Sequence, residues 1–164
     1  MGKSKFNLEQ KRKEMQEING ELGNKRKELE QISAQKETLN ETRMEIEGMD
    51  NLDENIQKNL KDSIRQQLES NKQRSQEVNS EMGQTIKALD NIKEELEDDM
   101  ESAKNAQGRL EKAQATLEKI GLSGVLDNGI TEIEGHIQEG ESFRNDLMEK
   151  IKEADDISKR LDMI

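Results

Sequence analysis

The side chains best suited to nucleophilic or acid–base chemistry are scarce in this sequence. His136 is the only histidine, and the 164 residues include no cysteine. A nucleophile–base pair needs a cysteine or serine arranged with the histidine, and a histidine-rich metal site needs further histidines. The sequence supplies no such arrangement around His136. We therefore expect His136 to be a surface or half-covered residue of a helix, and we expect no enzymatic activity, no cofactor and no metal site.

Carboxylates are abundant, and six of them lie in the acidic run Glu94–Glu101. Acid–base work by paired carboxylates requires a water-excluding pocket that drives their pKa values apart, and a thin helical protein offers none. Asp127 does not begin a calcium loop, because the twelfth position of such a loop is Gln138 rather than glutamate. The acidic run is therefore expected to be a solvated helix face.

Basic residues form one local stripe, in which Lys11-Arg12-Lys13 recurs fourteen residues later as Lys25-Arg26-Lys27. Glutamates are interleaved with it, so that residues 1–47 carry ten basic and ten acidic side chains. The whole chain has a net charge of −11, which disfavours binding to nucleic acid or to an anionic membrane. We expect salt-bridged helix faces, no nucleic-acid partner and no membrane insertion.

The elements that position these side chains follow from apolar spacing. Only 29% of the residues are apolar and 1% aromatic, which is too little for a thick core but sufficient for a coiled-coil seam of about two apolar positions in seven. Helix 1, at about residues 4–47, carries such a seam. Its members are Met15, Ile18, Leu22, Leu29, Ile32, Leu39 and Ile46.

Two glycine-containing breaks separate three helical segments. We predict helix 2 at about 53–120, a loop at 121–129 whose three apolar residues fold back over the helix ends, and helix 3 at about 130–162. Antiparallel pairing about the first break places Ile46 beside Ile56. Pairing about the second break places Ile120 beside Ile130 and Leu89 beside Leu161, with large residues repeatedly meeting small ones, as close packing requires.

These patterns predict an all-α fold with a single domain over residues 1–164. The expected architecture is an elongated antiparallel coiled-coil rod of three helices. Its long central helix pairs with helix 1 on the N-terminal part and with helix 3 on the C-terminal part. The alternative is a four-helix bundle in which helix 2 breaks near Gly83.

The seam of the N-terminal half is interrupted by polar side chains, which makes it the weaker half. One explanation is that long lysine and arginine stems lie at the edge of an ordinary two-stranded coil. The other is a third strand supplied by a second copy or another protein. The thinnest stretch lies between Leu68 and Val78. The candidate partner-binding residues are Lys25, Lys36, Arg43, Asn71, Ser75 and Val78.

The function class that these features favour is a non-catalytic structural or interaction protein. It acts as a scaffold, spacer or adaptor through helix–helix contacts with a protein partner, or through self-association. The alternative is a small helical exported protein, or an adaptor or targeting chaperone of a specialised bacterial secretion system, since such proteins are also hairpin-shaped, acidic and cysteine-free. Location is left open between the cytoplasm and export without a cleaved signal peptide.

Overall fold

The described part of the chain folds into three helices that pack against each other. The computed structural model describes residues 7–164, with α1 at Leu8–Glu47, α2 at Glu54–Lys119 and α3 at Asp127–Asp162. No strand occurs in this part of the chain. The predicted all-α fold is confirmed, while the predicted start of helix 1 at residue 4 lies outside the described residues.

Helix α2 is continuous through Gly83, so the alternative four-helix bundle is wrong. An interior glycine costs a helix only about 1 kcal/mol relative to alanine. The neighbouring residues Met82 and Leu89 are fully buried, and burying a side chain of this size contributes roughly 1.5–3 kcal/mol. The free energy gained by burying these side chains on both sides of Gly83 therefore exceeds the cost of the glycine to the helix.

Polar side chains cap the first two helices at their N-termini. The Oδ1 atom of Asn7 accepts a hydrogen bond from the main-chain N–H of Gln10 at 3.1 Å. The Oδ1 atom of Asp53 accepts one from Asn55 at 3.0 Å. Each cap satisfies a donor that has no partner within its helix, which explains why these helices begin where they do.

The end of α2 is a Schellman turn that depends on glycine. The N–H of Leu122 donates to the carbonyl oxygen of Leu117 at 2.9 Å, and that of Gly121 donates to Glu118 at 3.1 Å. Gly121 has a φ of 83°, a conformation that other residues adopt only with strain. The loop residues Leu122 and Val125 are exposed, so the prediction that the apolar loop residues cover the helix ends is wrong for both.

The chain divides into two compact units, each built from segments of all three helices. Unit 1 contains the described residues up to Ile18 together with Lys87–Lys152, and unit 2 contains Asn19–Ile86 and Glu153–Ile164. The buried apolar side chains of unit 1 are Leu8, Ile18, Leu89, Ile92, Leu96, Met100, Ile137, Phe143 and Leu147. Those of unit 2 are Leu22, Leu29, Ile32, Ile46, Ile64, Val78, Met82, Ala154, Ile157 and Leu161.

In unit 2 the C-terminal segment of α3 packs on both other helices. The Oγ atom of Ser75 in α2 donates to the main-chain oxygen of Leu161 at 2.6 Å. Arg26 in α1 pairs with Glu153 in α3, and the Nζ atom of Lys36 donates to the main-chain oxygen of Ile164 at 3.0 Å. Residue numbers rise together along α1 and α3, so the two helices run parallel while α2 runs antiparallel to both.

The predicted pairing of Leu89 with Leu161 is therefore wrong, because Leu161 lies beside Ser75. The displacement is already present at the loop, where the N–H of Leu126 donates to Oε1 of Gln114 at 2.9 Å. Helix α3 begins beside Gln114 instead of beside Ile120, so its register is displaced along α2. Pairing near the first break is correct to within one helical turn, since Gln57 bonds to the carbonyl oxygen of Ile46.

Candidate partner-binding cleft

Three of the six predicted partner-binding residues are buried in the core of unit 2. Asn71, Ser75 and Val78 are each at most 5% exposed. The Nδ2 atom of Asn71 donates to the carbonyl oxygen of Ile32 at 3.2 Å, and Ser75 bonds to Leu161 of α3. A third helix does face these polar seam positions, but it belongs to the same chain.

The three basic residues of the predicted set differ in their surroundings. Lys25 forms ion pairs with Glu81 and with Glu28. Lys36 is half-buried, and its ammonium group bonds to the end of α3. Arg43 is exposed near the end of α1, one residue before the exposed Met44. Of the six residues, Lys36 and Asn71 line the cleft described next.

Two adjoining cavities in unit 2 surround the end of α3, and together we call them the α3-end cleft. Both are lined by Lys36, Asn40 and Ile164. The first, with a volume of about 490 Å³, lies between α1 and α3 and is also lined by Ser33, Glu37, Glu41, Met44, Arg160 and Met163. The second, of about 220 Å³, opens towards α2 and is also lined by Arg65, Leu68, Glu69, Asn71 and Lys72.

Sequence and register explain why the cleft opens at this place. The last buried apolar residue of α3 is Leu161, and the helix ends at Asp162. On α1 two of the three seam positions at this level are Lys36 and Arg43, whose long polar side chains do not close the gap as leucine would. The helix pair α1–α2 continues past the end of α3, since Gln57 bonds to Ile46.

The rim of the cleft carries flexible apolar side chains in contact with solvent. Met44 is 67% exposed and Met163 is 81% exposed. Methionine has three rotatable bonds and a polarizable sulfur, and it adapts to differently shaped apolar partners. These two residues, with Leu68 and Ile164, give the cleft an apolar lining that nothing else in unit 2 covers within the described residues.

Charged groups border the same cleft unevenly. On the α2 side, Arg65 and Lys72 are exposed and join Lys36 against a single carboxylate, Glu69. The guanidinium group of Arg65 lies 3.5 Å from the carboxylate of Asp62, which is three positions earlier on α2. Basic groups therefore outnumber acidic ones on the α2 side of the cleft, whereas two glutamates of α1 line its other side.

The remaining candidate residues lie elsewhere and do not form a site. His136 is exposed on α3 of unit 1. Within the acidic run, Asp99 pairs with Lys11 at 3.0 Å and Glu97 pairs with Arg144 at 3.2 Å. Over residues 7–164, no group of three or more metal-ligating side chains is arranged to hold a metal ion. None of the described helices has the length and apolar character needed to cross a membrane.

Sequence reasoning missed Met44, Asn40, Arg160 and Met163 as lining residues of the cleft. These residues do not belong to the apolar seam, so the spacing of apolar residues does not identify them. The one available signal was the pair Met163-Ile164, which adds apolar residues after Leu161 without a predicted partner for them.

Comparison of the chain with protein-family models, with curated proteins and with solved structures finds no match. The case for its function therefore rests on the geometry and chemistry of the cleft.

Proposed function

We propose that this protein is a non-catalytic interaction protein that binds a protein partner through helix–helix contacts at the α3-end cleft. The observation that carries the proposal is the cleft itself, at whose rim the apolar side chains of Met44 and Met163 are in contact with solvent. A helix seated in a groove between two others is a recurring mode of protein recognition.

The distribution of exposed apolar side chains supports this location. Besides Met44 and Met163, unit 2 exposes Ile56 and Leu60 on the first turns of α2, beyond the level at which α3 ends. Contiguous apolar surface rimmed by polar groups marks interaction sites on soluble proteins.

The test is co-purification from the native source with three forms of the full chain. These are the unaltered protein, the cleft variant Met44→Ser/Met163→Ser, and the control variant Ile120→Ser/Leu122→Ser, which also replaces two exposed apolar residues but in unit 1. Light scattering of the recovered complex gives its stoichiometry. We expect the unaltered protein and the control to retain a stoichiometric partner that the cleft variant loses.

Circular dichroism verifies that the three forms are equally helical, which is expected because all four replaced side chains are exposed. Recovery of no partner with the unaltered protein, together with a single monomeric mass over a wide concentration range, contradicts the proposed function.

A further inference from the structure

We infer that Asn128 is a site of spontaneous modification, at which the main-chain nitrogen of Gly129 converts the side-chain amide to a carboxylate. The sequence contains two Asn-Gly dipeptides, Asn19-Gly20 and Asn128-Gly129. An asparagine that precedes glycine is prone to this reaction, because glycine has no Cβ atom to hinder the approach of its nitrogen. The positions of the two dipeptides in the fold favour reaction at the second.

The reaction requires water and no other reagent. The main-chain nitrogen of Gly129 loses its proton and attacks Cγ of Asn128, which closes a five-membered succinimide ring. The bond from Cγ to the amide nitrogen breaks, and that nitrogen leaves as ammonia with the proton. Water then opens the ring at either carbonyl and gives aspartate or isoaspartate, in which the main chain runs through the side-chain carbon.

The first dipeptide, Asn19-Gly20, lies in the interior of a helix. Helix α1 extends from Leu8 to Glu47, so the N–H of Gly20 is held by a main-chain hydrogen bond of the helix. Attack requires this bond to break and the peptide plane after Asn19 to rotate, while helix continues on both sides. Opening a helix interior in this way costs much more free energy than fraying of a helix end.

The second dipeptide lies in the first turn of α3, which begins at Asp127. The N–H of Ile130 donates to the carbonyl oxygen of Leu126 at 3.0 Å. Gly129 precedes Ile130, and the first N–H groups of a helix have no acceptor within it. The positive end of the helix dipole also favours the negative charge that develops on this nitrogen. Attack at Asn128 therefore requires only the first turn of α3 to fray.

Exposure to water does not distinguish the two sites, because Asn19 and Asn128 are both exposed. The difference in main-chain hydrogen bonding is therefore what we expect to separate their rates. The modification adds a negative charge next to Asp127. It falls two residues after Leu126, whose N–H holds the loop to Gln114.

The test is incubation of the full chain at physiological temperature and slightly alkaline pH, followed by peptide mapping with mass spectrometry. The measured quantity is the fraction of aspartate plus isoaspartate at Asn19 and at Asn128 over time. We expect Asn128 to react at least about tenfold faster. Tenfold corresponds to about 1.4 kcal/mol, which is less than the difference between opening a helix interior and fraying a helix end. In concentrated urea the two sites should react at similar rates.

Two glycine variants make the test specific. Gly129→Ala places a Cβ atom beside the attacking nitrogen, so it should slow the reaction at Asn128 in both the folded and the unfolded chain. That Cβ atom lies at an ordinary distance, 3.8 Å, from Cδ1 of Leu110, and a Cβ atom on Gly20 meets nothing within 4 Å. Both variants should therefore fold, as circular dichroism can verify, and the control Gly20→Ala should leave the rate at Asn128 unchanged.

Equal rates at the two sites in the folded chain overturn the inference, because the fold then has no influence on the reaction. So does an Asn128 that stays intact in the folded chain but reacts in urea, since the first turn of α3 then protects it. A rate at Asn128 that Gly129→Ala does not change would mean that the nitrogen of residue 129 is not the attacking group.

Discussion

The two units position their helices by different means. In unit 1 the buried Gln114 holds the loop through the N–H of Leu126, but the ion pairs between α2 and α3 join long, partly exposed side chains: Arg144–Glu97 at 3.2 Å and Lys104–Glu141 at 3.8 Å. In unit 2 the short side chain of Ser75 and the amide of Asn71 reach main-chain oxygens from within the core. A buried bond of this kind is satisfied in one register only, whereas recurring surface charges find partners in several.

The units also differ where two of the described helices face each other. In unit 1 α2 and α3 are in contact near the loop, where a Cβ atom on Gly129 would lie at an ordinary van der Waals distance, 3.8 Å, from Cδ1 of Leu110. In unit 2 the corresponding positions of α1 and α2 carry Lys36, Asn40 and Arg65, and a cleft opens. The comparison indicates that long polar residues beside apolar ones leave a cleft between helices that pack closely elsewhere.

The largest expected effect concerns the register in unit 2. The Oγ atom of Ser158 lies 2.6 Å from Oδ1 of Asn79, and the chain contains no other thiol to compete. Oxidation of Asn79→Cys/Ser158→Cys should therefore give an intramolecular disulfide that stabilises the protein by about 2–4 kcal/mol, measured by urea unfolding with and without reductant.

A matched pair in unit 1 is Gln107→Cys/Glu134→Cys. The contact there is made by the ends of two long side chains at 3.1 Å, so shorter cysteines should cross-link in lower yield. Equal yields in the two units, or no cross-link in unit 2, would break the distinction between them.

Much of the fold was predictable, and the bounds of the three described helices agree with the predicted ones to within three residues where both are defined. Apolar periodicity and the two glycine-containing breaks carry that information. The register of α3 was not predictable, because it depends on the bond between Leu126 and Gln114, and no spacing in the sequence marks a side chain that holds a loop.

The candidate site was predictable in one respect only. Polar seam residues such as Lys36 and Asn71 indicated a third helix, and that helix exists, but the chain itself supplies it. The exposed cleft begins where α3 ends, and its position depends on the register that the sequence did not reveal. The elongated shape and the alternative of an exported protein stay predictions.

An intermediate effect is expected from removing the buried hydroxyl in unit 2. Ser75 is 1% exposed, and Ser75→Ala deprives the oxygen of Leu161 of its side-chain donor in a site that water does not reach. We expect a loss of about 1–3 kcal/mol in the free energy of unfolding, measured by urea denaturation.

Ser158→Ala is the control, because Ser158 is half-buried and its partner Asn79 can turn to water. Its cost should be about 0.5 kcal/mol. Similar losses for the two alanine variants would show that burial does not distinguish the hydrogen bonds of unit 2.

The smallest effect is expected from the exposed ion pairs of unit 1. Arg144 and Glu97 are each more than 40% exposed, so Glu97→Gln should change the free energy of unfolding by about 0–1 kcal/mol at low salt. At about 1 M salt the screening length falls to roughly 3 Å, and that difference should vanish. The cost of Ser75→Ala should persist under the same conditions, because its hydrogen bond joins uncharged groups away from solvent. If the loss of stability caused by Glu97→Gln does not depend on salt, a specific contact and not a screened ion pair holds unit 1. The two units would then differ in how deeply their contacts are buried and not in the kind of interaction.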